Sequence, residues 1–243
     1  MPKTADISRA GLSRLSLAKA CAGVVILFIA LFLLTGYVGE KLGEHLPDSL
    51  ERLLSQQADF MVSERPEADD LQRIQGVFTK ITEGEDLREI GYRLTLVDLG
   101  APNAFAMPGG IIAVTPELLE MVETEIGLAF VIAHEIGHHE HRHVTKGMGH
   151  SLLLALVFSW FSEGAAGAIL SQAQDLASRR YSRQAEREAD DFAIQLILRK
   201  YGTLTGAGEF FQKIAEISGE SEFSAYFSTH PQSRERLKRI EGK

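Results

Sequence analysis

The chain has 243 residues, 45% hydrophobic and 24% charged, which is room for one sizeable globular domain plus an appendage and too apolar for a disordered chain. Its formal charge of -8 is uneven, because Lys3, Arg9, Arg14 and Lys19 against Asp6 give residues 1–19 a charge of +3 and leave -11 on the rest. So acidic a body excludes a nucleic-acid groove, which needs clustered Lys and Arg, and the single Cys21 excludes an internal disulfide and a thiolate metal cluster.

A charge-free run from Ala20 to Val38 covers 19 residues, close to the ~20 that a helix needs to cross a bilayer core, and predicts a spanning helix in the lipid bilayer. Basic residues precede it, whereas Glu40, Glu44, Asp48 and Glu51 follow it. The N-terminus is therefore expected to stay cytoplasmic and the body to be extracytoplasmic, periplasmic in a bacterium. A cleaved signal peptide is the alternative, with a weak small-residue site near Gly36. The chain thus divides into a basic segment at 1–19, a transmembrane helix at 20–38, a helical linker at 39–66 and a main domain at 67–243.

Beyond the span, apolar residues at helical spacing (Leu50, Leu53, Leu54; then Leu71, Ile74, Val77, Phe78, Ile81) predict helices over 47–65 and 67–83, punctuated by Pro47 and Pro66. Alternation from Tyr92 to Val97 and the run Gly110 to Thr115 predict two short strands, while Asn103 to Gly110 reads by itself as a turn-rich loop. Pro116 after Thr115 opens a capped helix, and a longer apolar helix follows over 126–143. The apolar stretch 151–161 is too short to span a membrane and reads as a buried or lipid-touching helix, with a re-entrant segment as the alternative. Further helices are expected at 168–200, 205–217 and 231–241. The fold class is α+β, predominantly helical, with a small β-sheet.

His134-Glu135-Ile136-Gly137-His138 is an HExxH motif inside an apolar helical run. At 100° per residue the two histidines lie about 40° apart on successive turns, so their imidazoles converge on one ion with Glu135 beside it. Two neutral imidazoles leave most of the charge on a zinc ion, and the adjacent carboxylate can take a proton from water. Phe130 shares the histidine face and aims it inward, where unpaired imidazoles are poorly satisfied. His141 could also ligate by position, but only the His134/His138 pair leaves Glu135 correctly placed. His139, His141 and His143 therefore read as a mostly solvated helix end.

Catalytic zinc takes a third protein ligand. The helix from Ser182 to Leu198 has an apolar stripe of Ala189, Phe192, Ala193, Leu196 and Ile197, within which Glu186 and Asp190 fall, with Glu188 opposite. A carboxylate aimed at a core is costly unless paired or metal-bound, which selects Glu186 as the ligand. Asp190, one turn on, is placed to accept the free ring N–H of a ligating histidine, or else to pair with Arg183 or Arg187.

Four motifs in this order, Asn103-Ala-Phe-Ala-Met-Pro-Gly-Gly110, HEIGH at 134–138, Tyr181-Ser-Arg-Gln-Ala-Glu-Arg-Glu-Ala-Asp190 and Thr229-His-Pro231, resemble the gluzincin metallopeptidases. That group includes CAAX prenyl endopeptidases, HtpX-type quality-control proteases and the mitochondrial overlapping-activity inner-membrane protease. The resemblance covers roughly residues 70–240 and implies a zincin-type core with Glu186 as third ligand to one zinc per chain. It also implies that Asn103, Ala104 and Phe105 form an edge strand on which a polypeptide substrate lies. His230, which opens an HPxxxxR pattern ending at Arg236, is implied to approach the active site, either stabilising the oxyanion or capping the zinc. The alternative is a surface histidine at a helix start, and Arg236 is a candidate electrostatic accessory.

With one convincing span, quality control of membrane or envelope proteins is the nearer analogy than prenyl-peptide cleavage. The expectation is a membrane-tethered zinc endopeptidase with Glu135 as base. A chaperone-like protein latent behind His230 and a membrane scaffold whose hydrophobic segments at 20–38 and 151–161 matter more than the metal are the rivals.

Overall fold

The computed structural model describes residues 14–52, 68–149, 181–217, 230 and 233–242, so the expected helix at 151–161 and most of that at 47–65 lie outside the described residues. Helix α1 (Arg14–Glu44) carries the apolar run, with Ile26, Leu27 and Phe32 more than half exposed. Among the described residues, Ala18–Glu44 is the one stretch of helix long and apolar enough to cross a membrane, and near an N-terminus an anchor and a signal sequence share that length and composition.

Helix α2 (Ala68–Thr82) buries Ile74, Val77 and Ile81 on one face and ends as its macrodipole favours, with Asp69 and Asp70 in the first turn and Lys80 in the last. Three strands follow: β1 (Arg93–Leu96), β2 (Ala104–Met107) and β3 (Ile111–Val114). Their order is β1-β3-β2, with β3 parallel to β1 and antiparallel to β2, in the register Phe105 opposite Ala113. The loop reading of 103–110 is thereby corrected. All four β2 side chains are buried, so no polar alternation marks the strand in the sequence. The turn into β3 depends on Gly110 at φ 77°, where an added Cβ would also lie 3.1 Å from Ile90.

Thr115 caps α3 (Pro116–Met121) by accepting the Leu118 N–H, and Thr124 caps α4 (Glu125–Glu140) by accepting that of Gly127. Helix α4 is buried from Gly127 through His139, as expected of a helix apolar nearly all round. It packs against α2, β2, β3, α5 (Arg183–Tyr201) and α6 (Glu209–Ile217). Phe130 of α4 meets Phe211 of α6 edge to face at 6.1 Å. Ser182 caps the start of α5 and Gly202, left-handed at φ 69°, ends it, while α7 (Ser233–Glu241) closes the described chain against α6.

The chain beyond α1 is tied to the end of α4. Arg142 donates to Leu46 O and Asp48, and Arg88 donates to Asp48, Glu51 and His139 O. Glu51 is fully buried there, and Arg88 and His139 beside it outweigh the effect of burial and keep its carboxyl below the usual range.

Candidate metal centre

Helix α4 presents His134 and His138 to one point, with their Nε2 atoms 3.0 Å apart. Helix α5 crosses close enough to bring Glu186 to 3.6 Å from each of them. The approach depends on Gly137 within the motif, since an added Cβ would lie 2.9 Å from Ala189 Cα. His230 joins from the segment before α7, with Nδ1 3.0 Å from Glu186 Oε1. Ligand atoms of these four buried residues all lie within 4.8 Å of one another. His230 is fully buried, so the surface reading does not hold.

The supports of the cluster are also buried. Asp190 Oδ1 lies 3.1 Å from His134 Nδ1, and Arg236 spans the two acids, with Nη1 3.1 Å from Glu186 Oε2 and Nη2 2.8 Å from Asp190 Oδ1. Asp190 thus meets both a ligand-type histidine and arginines, although these are Arg236 and, at 3.6 Å, Arg239 rather than Arg183 or Arg187. The Arg236 guanidinium rests on the Phe211 ring at 4.5 Å, and its Nη2 lies 2.9 Å from His134 Nδ1.

Burial, then the Arg236 charge, lowers His134 to about 4, and burial with the other histidines takes His138 well below its ordinary value. Burial opposes ionisation of Glu186, but His230 and Arg236 outweigh it and hold the carboxyl at about 2. Asp190 is held below the carboxylate range by Arg236 and His134 against the same opposing burial. At neutral pH His134 and His138 are therefore neutral imidazoles beside the Glu186 carboxylate, the protonation state that a divalent cation requires of its ligands, whereas burial of His230 is outweighed by the Glu186 and Glu135 charges, which push it up.

Glu135 differs: burial, reinforced by the Glu186 charge, pushes it up to about 7 against the opposing effects of His230 and Arg236. Neither of its oxygens makes a hydrogen bond of normal geometry among the described residues, the Ala106 backbone lowering it only as the weakest of the effects on it, and His230 Nε2 stands 3.6 Å from Oε1. A buried carboxylate left unbonded beside three nitrogen donors and one oxygen donor fits a site built for a cation and water.

Sequence reasoning misjudged two histidines and missed two supports. His139 and His143 are buried, not solvated, and only His141 is exposed. Helix α4 ends with Arg142 left-handed at φ 58°, and the reversal folds His143 back onto His138 with their Nδ1 atoms 3.0 Å apart. Arginine in the place where glycine usually sits hides that reversal in the sequence. Glu188, read as facing away, meets His143 at 2.9 Å, and Tyr181 stacks on His138 at 3.8 Å. Asn103 is buried with Oδ1 unbonded among the described residues, and Ala104 and Phe105 lie in β2, whose outer edge bonds to no other strand in the described sheet.

Comparison with known proteins agrees with this geometry. Metalloprotease LoiP of Escherichia coli is 35% identical over 145 residues, 57% of this chain and 57% of that protein. Mitochondrial metalloendopeptidase OMA1 of Schizosaccharomyces pombe is 26% identical over 171 residues, 68% of this chain and 50% of its own. Metalloprotease YcaL of Escherichia coli is 29% identical over 152 residues, 57% of this chain and 56% of its own, so the chain spans about half the length of these relatives. The profile of peptidase family M48 matches residues 69–243, from α2 through the metal centre to the C-terminus, and the chain belongs to that family.

Proposed function

We propose that the chain is a zinc-dependent endopeptidase that hydrolyses peptide bonds in unfolded membrane or envelope proteins. The observation that carries this reading is the meeting of His134, His138, Glu186 and His230 around one point, with the unbonded Glu135 carboxylate beside it. His134, His138 and Glu186 would hold one zinc, which when bound polarises a scissile carbonyl and acidifies water. Glu135 takes the proton of the attacking water on a carboxylate oxygen and passes it to the leaving amide nitrogen. Burial raises it above an ordinary carboxylate in the metal-free site, which favours taking up that proton. Asp190 accepts from His134 Nδ1 and so keeps the Nε2 lone pair pointed at the centre. Arg236 balances Glu186 and Asp190, and the burial around it keeps bulk water from the acids.

The substrate lies along β2 as an added strand, with Asn103, Ala104 and Phe105 supplying backbone groups and Asn103 Oδ1 a further acceptor. Residues 1–19 stay cytoplasmic, 20–38 anchor the chain, 39–66 link, and 67–243 work on the extracytoplasmic side, a reading supported by the charge asymmetry about the apolar run. Quality control is favoured because an anchored domain whose β2 edge bonds to no other strand in the described sheet suits extended polypeptide rather than one fixed sequence.

Cleavage of an unfolded protein by wild type and Glu135→Gln, with zinc measured in both, tests the reading. Retained zinc with activity lowered at least about 100-fold is expected; less than one zinc in wild type, or undiminished cleavage by the variant, overturns it. The position of His230 inside the ligand cluster favours a second reading, in which it caps the metal and keeps the enzyme latent. His230→Ala then raises activity, whereas loss of activity assigns it to oxyanion stabilisation.

A further inference from the structure

Each ligand-type histidine of α4 turns its second nitrogen to a different kind of partner. His134 Nδ1 reaches a carboxylate directly, at Asp190, with the Arg236 Nη2 that bonds the same carboxylate 2.9 Å from that nitrogen. His138 Nδ1 instead faces the Nδ1 of another imidazole, His143, at 3.0 Å. The far nitrogen of His143, Nε2, lies 2.9 Å from Glu188 Oε2, and Glu188 Oε1 accepts from Gln184 Nε2 at 2.9 Å. We propose that His143 and Glu188 are positioning residues that set the tautomer and aim of His138 through this three-member relay.

The direction of the relay follows from what each group can do. An ionised carboxylate only accepts, so the His143 Nε2 must carry a proton and donate it. A neutral imidazole with Nε2–H has its lone pair on Nδ1, and that lone pair faces His138 Nδ1. His138 Nδ1 must then be the donor, which leaves the His138 Nε2 lone pair aimed at His134 Nε2 and Glu186, the point where ligand atoms meet. Tyr181, stacked on the His138 ring with 21° between planes, blocks rotation out of that aim. Ligand, support and anchor come from one helix, because Glu186, Glu188 and Asp190 all lie on α5, so its placement sets both histidines at once.

This inference rests on the zinc reading above, and the experiment separates the two. Zinc affinity is measured by chelator competition on the full chain in detergent, for wild type, His143→Phe, His143→Gln and Glu188→Ala, beside the thermal midpoint of each zinc-free protein. His143→Phe is expected to weaken zinc binding by about 10–100-fold. His143→Gln, whose amide can accept from His138 and donate to Glu188, is expected to recover most of that loss. Glu188→Ala, at a half-exposed side chain, is expected to weaken binding about tenfold at an unchanged midpoint. Cobalt-substituted His143→Phe should also show shifted visible bands. Wild type that binds no zinc sinks the metallopeptidase reading itself. Tight binding by wild type and all variants alike, or a His143→Phe defect that His143→Gln does not recover, overturns the relay.

Discussion

Replacing Gly137 with alanine perturbs the contact that brings together the helices bearing His134, His138 and Glu186. A Cβ at this position meets Ala189 Cα at 2.9 Å, the Ala189 carbonyl oxygen at 3.0 Å and Phe192 Cβ at 3.3 Å. Two of these atoms belong to the backbone of α5, so no change of rotamer relieves the overlap, and α4 and α5 must part by about 0.5 Å. In an open helix the same substitution stabilises by about 0.5–1 kcal/mol, because glycine loses more conformational freedom on folding. Overpacking costs about 1–3 kcal/mol. The net expectation is a destabilisation of about 1–2 kcal/mol and a thermal midpoint lower by about 2–8 °C. Glu186 sits less than a turn from Ala189 on the displaced helix, so zinc binding should weaken about tenfold as well. The assay is thermal unfolding of the zinc-free protein together with chelator competition. Gly76→Ala on α2 serves as control, since nothing lies within 4 Å of a Cβ there. If Gly137→Ala gains stability as the control does and keeps its zinc affinity, the close-approach reasoning is wrong.

Glu209 accepts the N–H groups of Glu123 and Thr124 and the Thr124 hydroxyl, and these bonds overcome the opposing effect of burial to hold its carboxyl at about 2. Its folded value lies below the ordinary 4.5, so its contribution is complete above pH 4.5 and fades as pH falls toward about 2. Glu209→Ala should cost about 1–2 kcal/mol at neutral pH, with the gap to wild type narrowing over that window in denaturant titrations. Asp190→Asn removes one of the two carboxylates that face the buried Arg236 and should destabilise by about 3–5 kcal/mol in the same titrations, far more than Asp191→Asn at its half-exposed site. Phe130→Ala should cost about 3–5 kcal/mol, because the ring is fully buried against Phe211. Zinc held at about 100 times its dissociation constant should stabilise the protein by about 2.7 kcal/mol, a gain that chelation reverses and that His134→Ala abolishes in a thermal scan.

The helices were legible because a 3.6-residue period states which face of a segment must be buried. That period put Glu186 and Asp190 on the inward stripe of α5, and it paired His134 with His138 on α4, without reference to any other part of the chain. Thr115 and Pro116 announced α3 by capping chemistry, which is equally local. The apolar run in α1 declared its length and composition, which is what a bilayer reads.

Tertiary structure decided what depends on distant segments meeting. Strand β2 is buried on both faces, so its residues carry no alternation, and its pairing with β3 exists only once the turn at Gly110 closes. Arg236 and His230 belong to the centre because α7 packs back on α6, over 90 residues after the HExxH motif. His143 and Glu188 meet because α4 ends in a left-handed reversal at an arginine and α5 crosses it tightly at a glycine. Periodicity is a property of one element and survives in its sequence, whereas the meeting of two elements is set by chain reversals and crossing distances that neither element encodes alone.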